Sequence, residues 1–295
     1  MSKILNRIAK SVIKKFLRIF YNNPNLLKLL NLTLYEFRKD RQIFLKENLD
    51  HKYIVHANDI VSKNFFINGD SDFAIFQKSI KILKSIGFIK NKSLDSLIFV
   101  GGNIGLVPIQ AVKNSFCKRA IVFEAYKKNF NILISNIYIN YLDNKIKAYH
   151  TAISNKKKTV FMKECSVGNL GDVRLFESQK SFQKSEKVNC NTLDYYISKE
   201  SVGKNSLLFI DVQGHESYIF SGSSKVVKKK IPMVFEFDPK LMTKGYLKYF
   251  KILFDNYKFF YDLHAHPVKK HILNKENILN LEAKLKNNYT DLMIV

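Results

Sequence analysis

The feature that most constrains the fold is the alternation of short apolar runs with helical segments along the middle of the chain. Runs typical of buried strands are "SLIFV", "RAIVFEAY", "IKAYHTAIS", "SLLFIDVQ", "PMVFEFDP" and "NYTDLMIV". Helical spacing follows the first two runs, in "LVPIQAVKNSF" and "KKNFNILISNIYINYL". Parallel strands need such crossovers and are covered on both faces. The pattern therefore predicts an α/β fold built on a doubly wound parallel sheet.

The first part of the chain has a different character, and we predict a helical extension over residues 1–50 and a main domain over residues 51–295. Within residues 1–20, apolar side chains recur every three or four positions, and Lys and Arg occupy the other face. Such a helix could lie on an anionic membrane or pack on the protein itself, and the sequence leaves both open. Pro24 interrupts it, and a second, Leu-rich helix is predicted to about residue 47.

Charge and cysteine content narrow the class of partner. The chain has 49 basic and 25 acidic residues, and its formal net charge of +24 favours anionic partners such as nucleic acid or a membrane face. Cys117, Cys165 and Cys190 lie far apart without a CxxC motif, which indicates free thiols and no metal site. No stretch approaches the roughly 20 apolar residues that span a bilayer. We therefore expect a cytoplasmic protein, peripheral to the membrane if the first helix binds there.

The stretch "FVGGNIGLV" places three glycines directly after a predicted strand. Gly101, Gly102 and Gly105 would let a ligand approach the backbone, and the next helix would present free N–H groups. Glu124 ends the following strand about twenty residues on, where a carboxylate can accept hydrogen bonds from ribose hydroxyls. A tight turn alone would explain the glycines, but together with Glu124 they predict a nucleoside site. Full GxGxxG spacing is missing, so S-adenosylmethionine fits better than NAD or ATP.

Charged and polar residues also follow the next two predicted strands of the main sheet. Asp211, Gln213, His215 and Glu216 lie in "FIDVQGHE", and Glu236 lies in "VFEFD". Charges at the ends of buried strands are costly unless they are paired or used, so these are candidate catalytic residues. In the simpler alternative, Asp211 caps a turn and Glu236 pairs with a lysine. His215 could take a proton from a substrate hydroxyl, or could be a solvated or capping residue.

In chain order, these stretches resemble the FkbM family of S-adenosylmethionine-dependent methyltransferases. "FVGGNIGL" is similar to the family's DVGANIGL turn, and "VFEAYKKNFNILISNIYIN" to its FEPxPxNFxxLxxNIxxN stretch. "HTAISNKKKTV" resembles the AVSDxxG segment, "VNCNTLDYYI" the TLD element, and "LFIDVQGHESYIFSG" the IDVEGHExxVLxG signature. The similarity covers about residues 64–240, so it is far more specific than any one motif.

The resemblance implies a Rossmann-like class I methyltransferase fold: a mainly parallel, seven-stranded sheet with an antiparallel last strand, here preceded by N-terminal helices. It implies methyl transfer from S-adenosylmethionine to a hydroxyl of a saccharide, a glycolipid precursor or a small metabolite. Two alternatives stay open, which are methylation of the RNA ribose 2′-hydroxyl and a catalytically weakened methyltransferase-like binding protein. Residues 163–187 and 240–275 are the predicted acceptor loops.

The resemblance also implies roles for individual residues. By position, Gly101, Asn103 and Gly105 would surround the methionine part of the cofactor, Glu124 the ribose and Ala152 the adenine edge. The residues expected at the methyl-transfer centre are Asp211, His215, Glu216 and Glu236. Three positions depart from the family pattern: Phe99 replaces an aspartate, Gln213 a glutamate and Ala125 a proline. Two carboxylates that could hold the cofactor's ammonium group or orient the substrate are therefore missing.

Overall fold

The computed structural model describes residues 23–36, 43–48, 51–69, 72–90, 93–176, 185–286 and 288–295. The basic helix expected over residues 1–20 lies outside this part of the chain.

The described chain begins with helix α1 (Pro24–Glu36) and a hairpin of β1 (Ile43–Asn48) and β2 (His51–His56). The second helix therefore ends at Glu36, and its predicted extension to about residue 47 is wrong. β1 pairs with β2 over its whole length, and such pairing overrides a local helical preference. β1 and β2 pair across the domain boundary that we had placed between residues 50 and 51.

The remaining elements carry the site. They are α2 (Ile60–Asn68), α3 (Phe73–Ser85), β3 (Leu94–Val100), α4 (Leu106–Lys113), β4 (Cys117–Glu124), α5 (Lys127–Ile139), β5 (Ile146–His150), β6 (Ala152–Ile153), β7 (Lys158–Ser166), β8 (Asn169–Phe176), β9 (Glu186–Asn191), α6 (Leu193–Ile197), β10 (Ser206–Ile210), α7 (Glu216–Ser221), α8 (Ser224–Lys228), β11 (Met233–Phe237), α9 (Leu247–Phe254), β12 (Phe259–Asp262), β13 (Lys270–Ile272), α10 (Lys275–Leu285) and β14 (Thr290–Ile294).

Eight strands form the main sheet, in the order β13-β12-β14-β11-β10-β3-β4-β5. The pairs from β11 to β5 are parallel, and β14 runs antiparallel to β11 and β12. This topology confirms the Rossmann-like class I methyltransferase fold with its antiparallel last strand. The short strand β13 is an additional edge strand, antiparallel to β12.

The core lies on both faces of this sheet. In β3, Leu97 and Phe99 belong to one buried apolar cluster, whereas Ile98 and Val100 belong to the cluster on the opposite face. Successive side chains of a strand point to opposite faces, so a strand buried on both sides is apolar throughout. This is why "SLIFV" lacks the polar alternation of a half-exposed strand. In the described chain, no helix is long and apolar enough to cross a membrane.

A second sheet of four strands, ordered β6-β9-β7-β8, lies between β5 and β10 in the chain. The predicted strand "IKAYHTAIS" is divided between β5 and β6, which belong to different sheets. The hairpin of β7 and β8 occupies the first part of residues 163–187, which we had expected to be an acceptor loop. Buried residues alternate with more exposed ones at the start of β7, in the pattern of a strand covered on one face.

Candidate functional site

A cavity of about 300 Å³ lies at the carboxyl ends of β3, β4, β10 and β11. Ligands bind at this edge of open parallel sheets. We divide its wall into two parts. The glycine end is lined by Gly101, Gly102, Asn103, Glu124 and Ala152, and the acidic end by Asp72, Asp211, Gln213, Glu236, His264, Tyr289 and Asp291.

The glycine end depends on backbone that no side chain could share. Gly101 has φ +90°, and a Cβ built on it would lie 1.7 Å from the backbone oxygen of Asp211. A Cβ on Gly102 would lie 2.2 Å from Cγ1 of Val122. Both positions therefore require glycine, as the turn pattern predicts.

Gly105 has a different role from the other two glycines. It is the N-cap residue of α4, with φ +89°, and lies outside the cavity wall. A Cβ there would lie 2.7 Å from Cδ1 of Leu133, so the glycine permits close packing of α4 on α5. We had expected it beside the methionine part of the cofactor, and the structure places it behind the loop instead.

Glu124 connects the glycine loop to the turn after β4. Its side chain accepts hydrogen bonds from the backbone N–H groups of Asn103 and Tyr126, each at 2.7 Å. Burial raises the pKa of the carboxyl to about 7, although the backbone donors lower it. Glu124 therefore lies in the cavity wall with oxygen lone pairs left for a ligand.

Asp211 and Glu236 lie together at the acidic end, and the side-chain amide of Gln213 hydrogen-bonds to both. Nε2 of Gln213 lies 3.3 Å from Oδ1 of Asp211 and 3.2 Å from Oε2 of Glu236. Burial raises the pKa of Asp211 well above its usual range, and that of Glu236 to about 8. The nearby carboxylates, including Asp72, add to both shifts. The geometry does not support the alternative in which Glu236 pairs with a lysine, since the described chain places no lysine beside it.

His264 and Asp291 complete the acidic end, and the sequence analysis did not single them out. Nε2 of His264 lies 2.8 Å from Oδ2 of Asp291, and the backbone N–H of His264 donates to Oδ1 of Asp262 at 3.0 Å. Asp291 is the register partner of Glu236. The sequence carried one signal for Asp291. An antiparallel last strand begins at the edge where the parallel strands end, so polar residues near its start lie at the same edge as the site.

His215 and Glu216 are not brought into the cavity wall. Nε2 of His215 lies 3.0 Å from Oγ of Ser154, and its ring lies 4.8 Å from that of Tyr218. Oε1 of Glu216 accepts from the N–H groups of Val212 and Gly214 at 3.4 and 3.3 Å. Glu216 is 1% exposed, and burial raises its pKa to about 7. Both residues thus support the loop after β10 from behind.

Metal ligands are not assembled in the described part of the chain. No group of three or more His, Cys, Asp or Glu side chains there could hold an ion.

Solved structures with similar architecture include the following three proteins. M. capricolum TrmK bound to S-adenosyl-homocysteine is 14% identical, with a TM-score of 0.37, and the match covers 72% of this chain and 66% of that chain. The chain thus spans slightly less than two thirds of that protein's length. M. jannaschii TYW2 bound to AdoMet is 12% identical, with coverage of 86% and 85% and a TM-score of 0.39. The METTL16 MTase domain is 12% identical, with coverage of 93% and 81% and a TM-score of 0.44. No curated protein gives a significant sequence match.

The family model for the methyltransferase FkbM domain matches residues 100–266, more than half of the chain. The match begins directly before the glycine loop and includes Glu124, Asp211, Glu236 and His264. Asp72 and Asp291 lie outside it. The chain therefore belongs to the FkbM family of S-adenosylmethionine-dependent methyltransferases.

Proposed function

We propose that this protein transfers the methyl group of S-adenosylmethionine to a hydroxyl of a saccharide, a glycolipid precursor or a small metabolite. The observation that carries the proposal is the charge of the cavity wall. Among the described residues that line it there are carboxylates but no lysine or arginine, although the chain as a whole has a net charge of +24. Carboxyl groups exchange hydrogen bonds with hydroxyls, and the described part of the wall offers no lysine or arginine to a phosphate. The wall therefore favours a polyhydroxyl acceptor over the phosphate backbone of RNA.

The residues of the glycine end fit the cofactor. Gly101 and Gly102 leave backbone exposed where a Cβ would collide with the opposite wall. We assign the methionine part to this loop with Asn103, the ribose to Glu124, and the adenine edge to Ala152, which also lines the cavity. When bound, the cofactor supplies the methyl group, whose bond to sulfur breaks as the acceptor oxygen bonds to carbon.

The protein's own task is to align the acceptor hydroxyl and to take its proton. We assign the alignment to Asp211 and Glu236, whose oxygens can accept hydrogen bonds from neighbouring hydroxyls of the acceptor. We assign the role of base to His264, which would accept the proton of the hydroxyl. Asp291 holds its Nε2, so its other ring nitrogen can act as the base. His215 and Glu216 become positioning residues, since they hold the loop that carries Asp211.

The experiment that tests this proposal follows tritium from [methyl-³H]S-adenosylmethionine into defined acceptors. The purified full-length chain is incubated with neutral sugars, methyl glycosides, amino sugars and RNA transcripts, each analysed for incorporated label. Label in a sugar that disappears in Glu236→Gln and persists in Asp95→Asn supports the proposal. Asp95 is the matched control because it pairs with Lys118 at the opposite edge of the sheet. Label released from RNA as 2′-O-methylnucleoside would replace this function with the RNA alternative, and cofactor binding without any transfer would indicate the weakened relative.

The cellular location is also part of the proposal: a cytoplasmic protein with an extension over residues 1–50 that reaches an anionic membrane through residues 1–20. The basic, amphipathic sequence of this segment supports it. Deleting residues 1–22 is expected to abolish flotation with anionic liposomes and to leave the free energy of unfolding almost unchanged. Flotation of the shortened chain would reject the membrane role, and a large loss of stability would show that the segment packs on the domain.

A further inference from the structure

Position 99 offers the cavity no polar atom. Phe99 is 3% exposed, and its ring stacks on that of Phe209 with centroids 4.8 Å apart. The wall at the end of β3 is therefore apolar where the family pattern has an aspartate. S-adenosylmethionine carries two cationic groups, its α-ammonium and its sulfonium, and an apolar wall would leave both without a counter-ion.

Asp211 lies directly against the glycine loop. Its N–H donates to the carbonyl of Val100 at 2.9 Å, and its own carbonyl oxygen occupies the space beside Gly101. The aspartate at the end of β10 is thus next to the backbone that we assign to the methionine part of the cofactor. It is one strand away from position 99, because β3 and β10 are parallel neighbours in register.

The surroundings of Asp211 disfavour the ionised form of its carboxyl group. The charged groups that act on it most strongly are Asp72, Glu236 and Asp291, all of them acidic, and the amide of Gln213 donates a hydrogen bond to it. This repulsion and its burial raise the pKa of the carboxyl well above the usual range. A cation bound at this point would remove that penalty.

Asp72 brings a second carboxylate to the same end of the cavity. It is an exposed residue that directly precedes α3, and it lines the cavity together with Phe99 and Asp211. It comes from outside the segment that the family model matches. An acid on a different element therefore lies in the same part of the cavity wall as the position where the family pattern has an aspartate.

We propose that Asp211 and Asp72 together hold the α-ammonium group of the cofactor, in place of a carboxylate at position 99. Gln213 belongs to the same arrangement, since its amide donates to Asp211 and Glu236 where a glutamate would add another negative charge. The inference rests on the cofactor in the proposed function and is independent of the methyl acceptor.

The test uses three ligands measured by titration calorimetry: S-adenosylhomocysteine, its decarboxylated analogue, which keeps the amine, and 5′-methylthioadenosine, which lacks it. Asp211→Asn keeps the shape and the oxygen that accepts from Gln213. We expect Asp211→Asn and Asp72→Asn each to lower the affinity for both amine-bearing ligands by about tenfold. The affinity for 5′-methylthioadenosine should change by less than about twofold. Both carboxylates would bind the same ammonium group. The loss of affinity in the double variant should therefore be smaller than the product of the two single losses.

Asp95→Asn is the control variant, and circular dichroism checks that each variant is folded. Equal weakening of all three ligands, unchanged binding of the amine-bearing pair, or fully independent losses in the double variant would each overturn the assignment. So would a wild-type chain that does not prefer S-adenosylhomocysteine to 5′-methylthioadenosine. The acceptor is tested separately: if no sugar is methylated while the amine-dependent pattern holds, the saccharide function fails and this assignment stands.

Discussion

Nε2 of His264 lies 2.8 Å from Oδ2 of Asp291, and this contact joins the segment after β12 to the start of β14 within the cavity wall. The hydrogen bond to Asp291 raises the pKa of His264, Asp262 adds to the rise, and burial and the Lys78 charge oppose it. Asp291→Asn should therefore lower the pKa of His264, as followed by NMR of the imidazole.

The same variant has a predictable effect on stability. A raised histidine pKa stabilises the fold below about pH 6.5, and this contribution is lost as pH rises through the folded-state pKa. Asp291→Asn should therefore reduce the free energy of unfolding more at pH 5.5 than at pH 9. An unchanged pKa of His264 would show that Asp291 does not control it.

Glu124→Gln should lower the affinity for S-adenosylhomocysteine and for 5′-methylthioadenosine to the same extent, by about tenfold, because both ligands contain the ribose. An amide at this position also places an NH₂ group against the N–H of Asn103 or Tyr126. Titration calorimetry separates this pattern from that of Asp211→Asn. Unchanged affinity for 5′-methylthioadenosine would refute the ribose assignment.

Gly101→Ala should lower the free energy of unfolding by about 3 kcal/mol or more, because left-handed strain adds to a collision with the Asp211 carbonyl. Gly245→Ala is the matched control: its φ is +72°, but a Cβ there meets nothing within 4 Å. Gly245→Ala should lower the free energy of unfolding by roughly 1–2 kcal/mol, because it adds the strain without the collision. Urea unfolding measures both, and equal losses would show that the contact with Asp211 is not limiting.

Glu216→Gln should stabilise the protein in a pH-dependent way. Burial raises the pKa of Glu216 from 4.5 to about 7, so the folded state keeps a proton that the unfolded chain releases. Its stability therefore falls as pH rises from 4.5 to about 7. The variant should match the wild type near pH 4.5 and exceed it at pH 8 by on the order of 2 kcal/mol.

Glu47→Gln is the control for this comparison, because the Glu47 side chain is 58% exposed. Denaturation curves at the two pH values decide the outcome. A variant that is less stable than the wild type at both would show that the hydrogen bonds to Val212 and Gly214 outweigh the cost of burying the charge.

The glycine end could be predicted from sequence because its parts are local. Gly101, Gly102 and Glu124 belong to consecutive strand ends, and the order of elements alone places them at one edge of the sheet. Position in the sequence could not show that Gly105 lies behind the loop, because that depends on the packing of Leu133. The same limit applies to His215, whose direction is set by its contact with Ser154.

The acidic end depends on pairings between distant segments. Asp72 precedes a helix that the motif pattern does not include, and Asp291 enters through the antiparallel pairing of β14 with β11. The β7–β8 hairpin carried a local signal that we did not use. Two strand-like runs flank Val167 and Gly168, and Gly168 has φ +72°, which is typical of a hairpin turn.

The acidic wall also affects what happens after the reaction. Methyl transfer removes the positive charge from sulfur, so the spent cofactor is attracted less strongly to Asp211 and Glu236 than the incoming one. Under the proposed assignment, carboxylates that are costly to bury should also limit product inhibition. The cavity should then bind S-adenosylmethionine more tightly than S-adenosylhomocysteine, which favours repeated turnover.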